Sequence, residues 1–142
     1  MAIENWPETG RIPVYLVGGA VRDRLLGRTP REYDFAFDAD EATFLQRNPE
    51  ARKVGKSVSV FLLHGQEFMP IEGTLEDDMR RRDLTINAVY ADEKGNVFDY
   101  YNGVDDLEKG IVRFIGSAGQ RGLGAADAVA RVAVLEHEAF CA

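Results

Sequence analysis

YLVGGAVRDRLLGRTPREYD, residues 15–34, is the stretch on which the reading of this chain turns. An apolar run reads as a buried strand over Pro13 to Val17, a Gly-Gly pair interrupts it, and Gly19 to Leu26 reads as a helix closed by Gly27. Gly18 and Gly19 let backbone N–H groups approach phosphate oxygens with no Cβ in the way, and a helix N-terminus favours negative charge. Arg22 stands three residues on, sharing the helix face that begins at Gly19. The run EYDFAF, Glu32 to Phe37, then reads as a second strand, in which Glu32 and Asp34 point to one face. Two carboxylates about 7 Å apart along a strand converge on divalent ions roughly 3.5–4 Å apart. The order implies a site that grips a nucleoside triphosphate and meets its metal ions with acidic side chains.

Working outward, residues 1–12 read as a loosely held lead-in broken by Pro7 and Gly10. Asp40 to Gln46 reads as a short helix capped by Asp40. Ser57 to Leu63 reads as a strand, with His64–Gly65 a tight turn into a hairpin partner over Gln66 to Ile71, which Pro70 restricts to an edge. Glu76 to Arg82 has a helical charge pattern, and Thr85 to Tyr90 carries the next apolar segment. Lys94 to Asn96 is a turn before the strand Val97–Tyr100. Asp105 to Lys109 reads as a helix and Ile111 to Ile115 as a last strand. Val129, Val132, Leu135 and Ala139 recur at helical spacing over Ala125 to Phe140, after a joint at Gly116 to Gly124.

The composition bounds the function. With 142 residues, 45% hydrophobic and 29% charged, the chain has the balance of one soluble globular domain rather than a disordered segment. No apolar run reaches the roughly 20 residues that span a membrane, and the N-terminus lacks the basic and apolar regions of a signal peptide. The single cysteine, Cys141, excludes an intrachain disulfide. A cytoplasmic location is the expectation. Lys and Arg number 17 against 24 Asp and Glu, for a net charge of −7, which argues against extensive wrapping of a polynucleotide but not against nucleotide binding.

VYLVGGAVRDRLLG, the EYD pair, TLEDDMRRRDLTINAVYAD and GNVFDYYNGVDDLEKGIVRFIG, in this order, resemble the catalytic head domain of bacterial tRNA nucleotidyltransferases (CCA-adding enzymes) and poly(A) polymerases. The resemblance covers about residues 14–116. It implies an α+β fold of the polymerase-β-like nucleotidyltransferase type, a mixed sheet flanked by helices. It also implies Mg²⁺-dependent transfer of a nucleoside monophosphate from ATP or CTP to a hydroxyl, with two ions and an RNA acceptor. Carried over residue by residue, it implies that Gly18, Gly19 and Arg22 contact the triphosphate. Glu32 and Asp34 hold the metal, with Glu67 a further candidate ligand. Arg81, Arg82, Asp83 and Asn87 contact the nucleotide and brace the site, and Asp23 orients Arg22 or the loop rather than binding metal.

The chain also departs from that pattern. The family's acidic pair is two aspartates, whereas the first here is Glu32, and its extra methylene moves the carboxylate by an amount that matters at a metal site. QEFMPIEGTLEDD runs on without the loop that family members have there. The family's arginine-spaced segment is replaced by RGLGAADAVARVAVLEHEAFCA, and the expectation is that no neck, body or tail follows. The expectation is therefore a stand-alone head domain over 1–142 with a divergent C-terminal helix at 125–140. That helix packs on its own sheet or supplies a homodimer or partner-chain surface. Two alternatives stay open: a catalytically weakened or inactive nucleotide-binding module, and one half of a split enzyme.

Simpler readings stand beside these. Gly18–Gly19 also suits an ordinary strand-to-helix turn, and Glu32 and Asp34 also suit the solvent side of an edge strand. Arg80, Arg81 and Arg82 follow Glu76, Asp77 and Asp78, so part of that run reads as helical charge pairing, with Arg80 left to the surface. Asp83 also reads as a cap and Asn87 as a local hydrogen-bonding group. His64 and His137 read as structural or exposed, and Asp105, Asp106 and Glu108 as a solvated helix start.

Overall fold

Two short apolar runs side by side build the centre of the molecule, which the computed structural model describes over residues 5–55 and 59–115. Val14–Val17 forms strand β1 and Gly19–Leu25 helix α1, close to the predicted bounds. Asp34–Phe37 forms β2, antiparallel to β1 with Val17 opposite Asp34. This strand starts two residues later than predicted, and Glu32 lies ahead of it. Continued backward, the register sets Tyr33 and Glu32 beside Gly18 and Gly19, where β1 has already turned into α1, so no ladder partner remains. The pleat therefore does not aim Glu32.

Glu41–Arg47 forms α2, and the Asp40 side chain accepts from the Thr43 N–H at 2.7 Å, the predicted N-cap. Arg52–Val54 forms β3, which the sequence did not announce because its residues are mostly exposed and show no apolar alternation. Val60–Leu63 is β4 and Gln66–Pro70 is β5. His64 and Gly65 join them with φ of 52° and 77°, the two positive values that a type I′ hairpin turn requires. The sheet order is β3-β4-β5-β2-β1 and then two further strands, β6 (Tyr90–Ala91) and β7 (Val97–Phe98). The β2–β5 pair is parallel and the rest antiparallel, a mixed sheet.

The position of β5 corrects the reading of Pro70. The strand is interior, between β4 and β2, and not an edge. Pro70 is its last residue, and the register with β4 carries it past Val60, where β4 begins, so its missing N–H has no ladder bond to lose. The neighbouring Ile71 N–H supplies the bond to Phe37 O at 2.9 Å.

Leu75–Arg80 forms α3, opened by a capping box in which Thr74 and Asp77 each accept the other's backbone N–H. A single 3-10 turn, Thr85–Asn87, follows, and Gly103–Lys109 forms α4. Val97–Phe98 is shorter than the predicted strand, and Ile111–Ile115 is not a strand. It docks beside the 3-10 turn through one bridge, Leu84 to Phe114, and the Thr85 N–H to Arg113 O bond of 3.0 Å.

The sheet buries both faces. On one, Leu16, Phe35, Phe37, Phe61 and Phe68 pack with Ala20 and Val21 of α1 and Phe44 of α2, whose ring stacks on Phe37 at 4.1 Å. On the other, Val17 and Ala36 pack with Met79 of α3, Tyr90 and Ile115. The described part of the lead-in, from residue 5, is held more firmly than predicted: Trp6 meets Phe35 edge-on at 5.4 Å, and buried Thr9 donates to Ile12 O at 2.7 Å. Asp106 is likewise not part of a solvated helix start. It is 4% exposed and accepts from Thr85 Oγ1 at 2.6 Å and Arg113 Nε at 3.1 Å, because α4 lies against the 3-10 turn. The predicted joint at Gly116 to Gly124 and the helix over 125–140, with its self-association reading, lie outside the described residues. No helix among the described residues is long and apolar enough to cross a membrane.

Candidate functional site

At the Val17–Asp34 end of the sheet the chain turns from β1 into α1 through Gly18, with φ 67° and ψ −137°. That conformation is essentially restricted to glycine. A Cβ at Gly18 would meet nothing within 4 Å, so the requirement is one of backbone angle and not of space. Gly18→Ala is expected to lower stability by about 1–3 kcal/mol, read by chemical denaturation as a shifted midpoint at unchanged slope; an unshifted midpoint would remove this account of the turn.

Gly19 serves differently. A Cβ there would stand 3.0 Å from Arg22 Nη2, so the missing side chain lets the Arg22 guanidinium fold back over the turn. Arg22 Nη1 donates to Asn87 Oδ1 at 2.9 Å, and Asn87 Nδ2 donates to Asp83 Oδ1 at 3.1 Å, which also accepts the Leu84 N–H at 2.8 Å. The two motifs, far apart in sequence, thus become one brace, with both ends of the Asn87 amide engaged within it. Asp23 Oδ1 lies 3.9 Å from Arg22 Nε, an ion pair that fits its predicted orienting role.

Asp34 is half-buried, and its register partner on β5 is Glu67. Burial raises the Asp34 carboxyl above the ordinary aspartate value. The carboxylates of Glu67 and then Glu32 push it further, the Arg82 charge opposes them, and a side-chain hydrogen bond to Glu67 adds to the rise. The carboxylate that strand register sets beside Asp34 is therefore Glu67. Glu32 is exposed and acts on Asp34 through its charge. Among the described residues, no three or more His, Cys, Asp or Glu side chains are gathered as a metal-ligating cluster.

The basic side of the site comes from the end of α3. Arg81 is its C-cap residue, and Arg82 follows. Arg81 pairs with Asp78 and with Glu72 at 3.5 Å, while Arg82 Nε donates to Tyr90 Oη at 3.0 Å. Arg80 is exposed and pairs with Asp77 at 3.4 Å, the surface role predicted for it. A cavity of about 260 Å³ lies here, lined by Met69, Pro70, Glu72, Asp78, Arg81 and Arg82. Met69 stands two residues along β5 from Glu67, so carboxylates and cavity share one sheet face. Sequence reasoning missed Asp78 and Tyr90. The i+3 and i+4 spacing from Asp78 to Arg81 and Arg82 was readable, but its burial to 1% exposure under Tyr90 was not.

Against known proteins, the family profile described as "Poly A polymerase head domain" matches residues 14–64 and 46–113. The multifunctional CCA protein of Legionella pneumophila (strain Lens) is 42% identical over 127 residues, covering 74% of this chain and 30% of that protein. Its counterpart in Laribacter hongkongensis (strain HLHK9) is 39% identical over 125 residues, covering 73% and 31%. The chain thus spans about a third of the length of the curated relatives it matches. Among solved structures, the Bacillus stearothermophilus CCA-adding enzyme in complex with CTP superposes with a TM-score of 0.70 at 30% identity, over 86% of this chain and 34% of that one. The Thermotoga maritima CCA-adding enzyme complexed with tRNA gives 0.63 at 29% identity, over 74% and 29%.

Proposed function

Because the chain belongs to the poly(A) polymerase head domain family and has its polymerase-β-like nucleotidyltransferase fold, we propose that it binds ATP or CTP with Mg²⁺ and transfers the nucleoside monophosphate to an RNA 3′ hydroxyl. The observation that carries this reading is the Asp34–Glu67 pair, set in register on one sheet face between the Gly18 turn and Arg82.

The donor set fits the metal. Mg²⁺ takes oxygen ligands and is commonly held by one or two carboxylates together with substrate phosphates. Asp34 and Glu67 form such a pair, and Glu32 stands close enough to act on Asp34 electrostatically. When bound, Mg²⁺ supplies a lowered pKa for the attacking hydroxyl and neutralises charge on the leaving pyrophosphate. The residues of the chain do the rest. Gly18 and Gly19 admit phosphate oxygens to the backbone. Arg22, braced through Asn87 to Asp83, faces the triphosphate with a preset guanidinium. Arg82 and Arg81 line the cavity suited to the sugar and base. Acceptor RNA, given the excess of acidic side chains, is held mainly by protein surface other than this domain.

A second reading, nucleotide binding without transfer, is favoured by the lack of a three-carboxylate cluster among the described residues. Calorimetry of ATP and CTP binding with and without Mg²⁺ tests the site common to both. Metal-dependent binding is the expected result, and no binding, or binding indifferent to metal, would remove the catalytic reading. Glu32→Asp then separates the two: a gain in metal-dependent transfer marks a weakened enzyme, and no change marks a binding module.

A further inference from the structure

We propose that Asp78 and Tyr90 are positioning residues, fixing the Arg82 guanidinium at the cavity wall so that nucleotide affinity depends on a buried carboxylate–phenol pair acting through Arg82. The inference rests on the reading of this site as a nucleoside triphosphate site. Asp78 is 1% exposed, and a carboxylate so buried is costly unless its oxygens are satisfied. It accepts from Tyr90 Oη and Arg81 Nη2 and from the Glu72 N–H at 3.3 Å, and Arg82 Nη2 stands 3.7 Å away.

Tyr90 is the link between this carboxylate and Arg82. Its ring is fully buried on β6, and burial keeps the phenol protonated far above its ordinary range. The hydroxyl therefore donates to Asp78 while its oxygen accepts from Arg82 Nε at 3.0 Å. Arg82 Cζ also lies 5.3 Å from the Tyr90 ring centroid. Nε, one ring face and the Asp78 charge thus constrain a single guanidinium. Its Nη1 makes no hydrogen bond among the described residues, and the side chain keeps 23% exposure toward the cavity. Filling the core calls only for an aromatic ring at position 90. The hydroxyl has a separate task, which is to connect the charge on the buried side of α3 to the cation that faces the ligand.

Tyr90→Phe keeps the ring and removes only that hydroxyl. Affinity for CTP and ATP in Mg²⁺, measured by calorimetry on the full chain, is expected to fall about tenfold, the scale of one lost hydrogen bond to a charged group. The same substitution made on an Arg82→Gln background is expected to change affinity no further, since Tyr90 acts through Arg82. An unchanged affinity in Tyr90→Phe alone would overturn the positioning role while leaving the nucleotide site standing. An equal loss in both backgrounds would also overturn it, because the hydroxyl would then serve the fold and not Arg82. Failure of the unsubstituted protein to bind either nucleotide would remove the nucleotide-site reading itself, and this proposal with it.

Discussion

Asp34→Asn is expected to weaken Mg²⁺-dependent CTP and ATP binding by about a hundredfold or more, and at the same time to stabilise the metal-free protein. The loss should exceed the roughly 10–100-fold that follows removal of an outer-shell partner at metal sites, because Asp34 is proposed to touch the ion itself. The gain in stability comes from electrostatics. Burial, then Glu67, then Glu32 raise the Asp34 carboxyl above its value in the unfolded chain. The folded protein therefore holds this proton more tightly than the unfolded one. The stabilisation linked to it is fully present below the unfolded value and is lost as pH rises through the folded value. Above that folded value the ionised carboxyl opposes folding, and asparagine removes that opposition. Thermal melts of both proteins without metal, from acid to neutral pH, should show the parent losing ground with rising pH relative to Asp34→Asn. Parallel melting curves would mean that Asp34 is not electrostatically strained, and the case for a carboxylate pair would go with it.

Gly103→Ala is expected to destabilise the protein by about 2–3 kcal/mol, or roughly 10 °C in melting temperature for a chain of this size. Alanine would ordinarily help the first turn of α4 by about 1 kcal/mol. Here its Cβ would stand 2.1 Å from Thr85 O and 2.7 Å from Val89 Cγ2. Backbone oxygen cannot rotate away, so α4 must shift off the 3-10 turn. That shift disturbs the Thr85 to Asp106 bond of 2.6 Å and moves Asn87, the acceptor for Arg22. A secondary fall in nucleotide affinity should therefore accompany the loss of stability, although Gly103 is not part of the site. An unchanged melting temperature would show that α4 rides loosely on the turn.

Much of the local structure was legible in the sequence because neighbours along the chain cause it. Short apolar runs marked β1, β2 and β4, Asp40 announced the cap of α2, and His64–Gly65 announced a two-residue turn. The ordered motifs from Gly18 to Asn87 were enough to point to the family that the profile match supports. Where the reading slipped, a distant residue was responsible. Glu32 left the strand because β1 had already turned into α1, Pro70 sat inside the sheet because β4 starts at Val60, and β3 formed from residues without apolar alternation because β4 offered it an edge. Asp106, read as a solvated charge, is buried because α4 lies against the 3-10 turn, and Asp78, read as helical charge pairing, is buried because Tyr90 covers it.

The sequence by itself determined the ingredients of the candidate site: glycines at a strand-to-helix turn, carboxylates around the start of the next strand, and arginines behind a short helix. Those properties depend on backbone freedom, side-chain chemistry and the periods of helix and strand, all carried within a few residues. Only the tertiary structure decided the partnerships, setting Glu67 rather than Glu32 against Asp34, Asn87 against Arg22, and Asp78 with Tyr90 behind Arg82. Pairing and burial depend on which distant segments come into register and what covers them, and residues far apart in sequence set both.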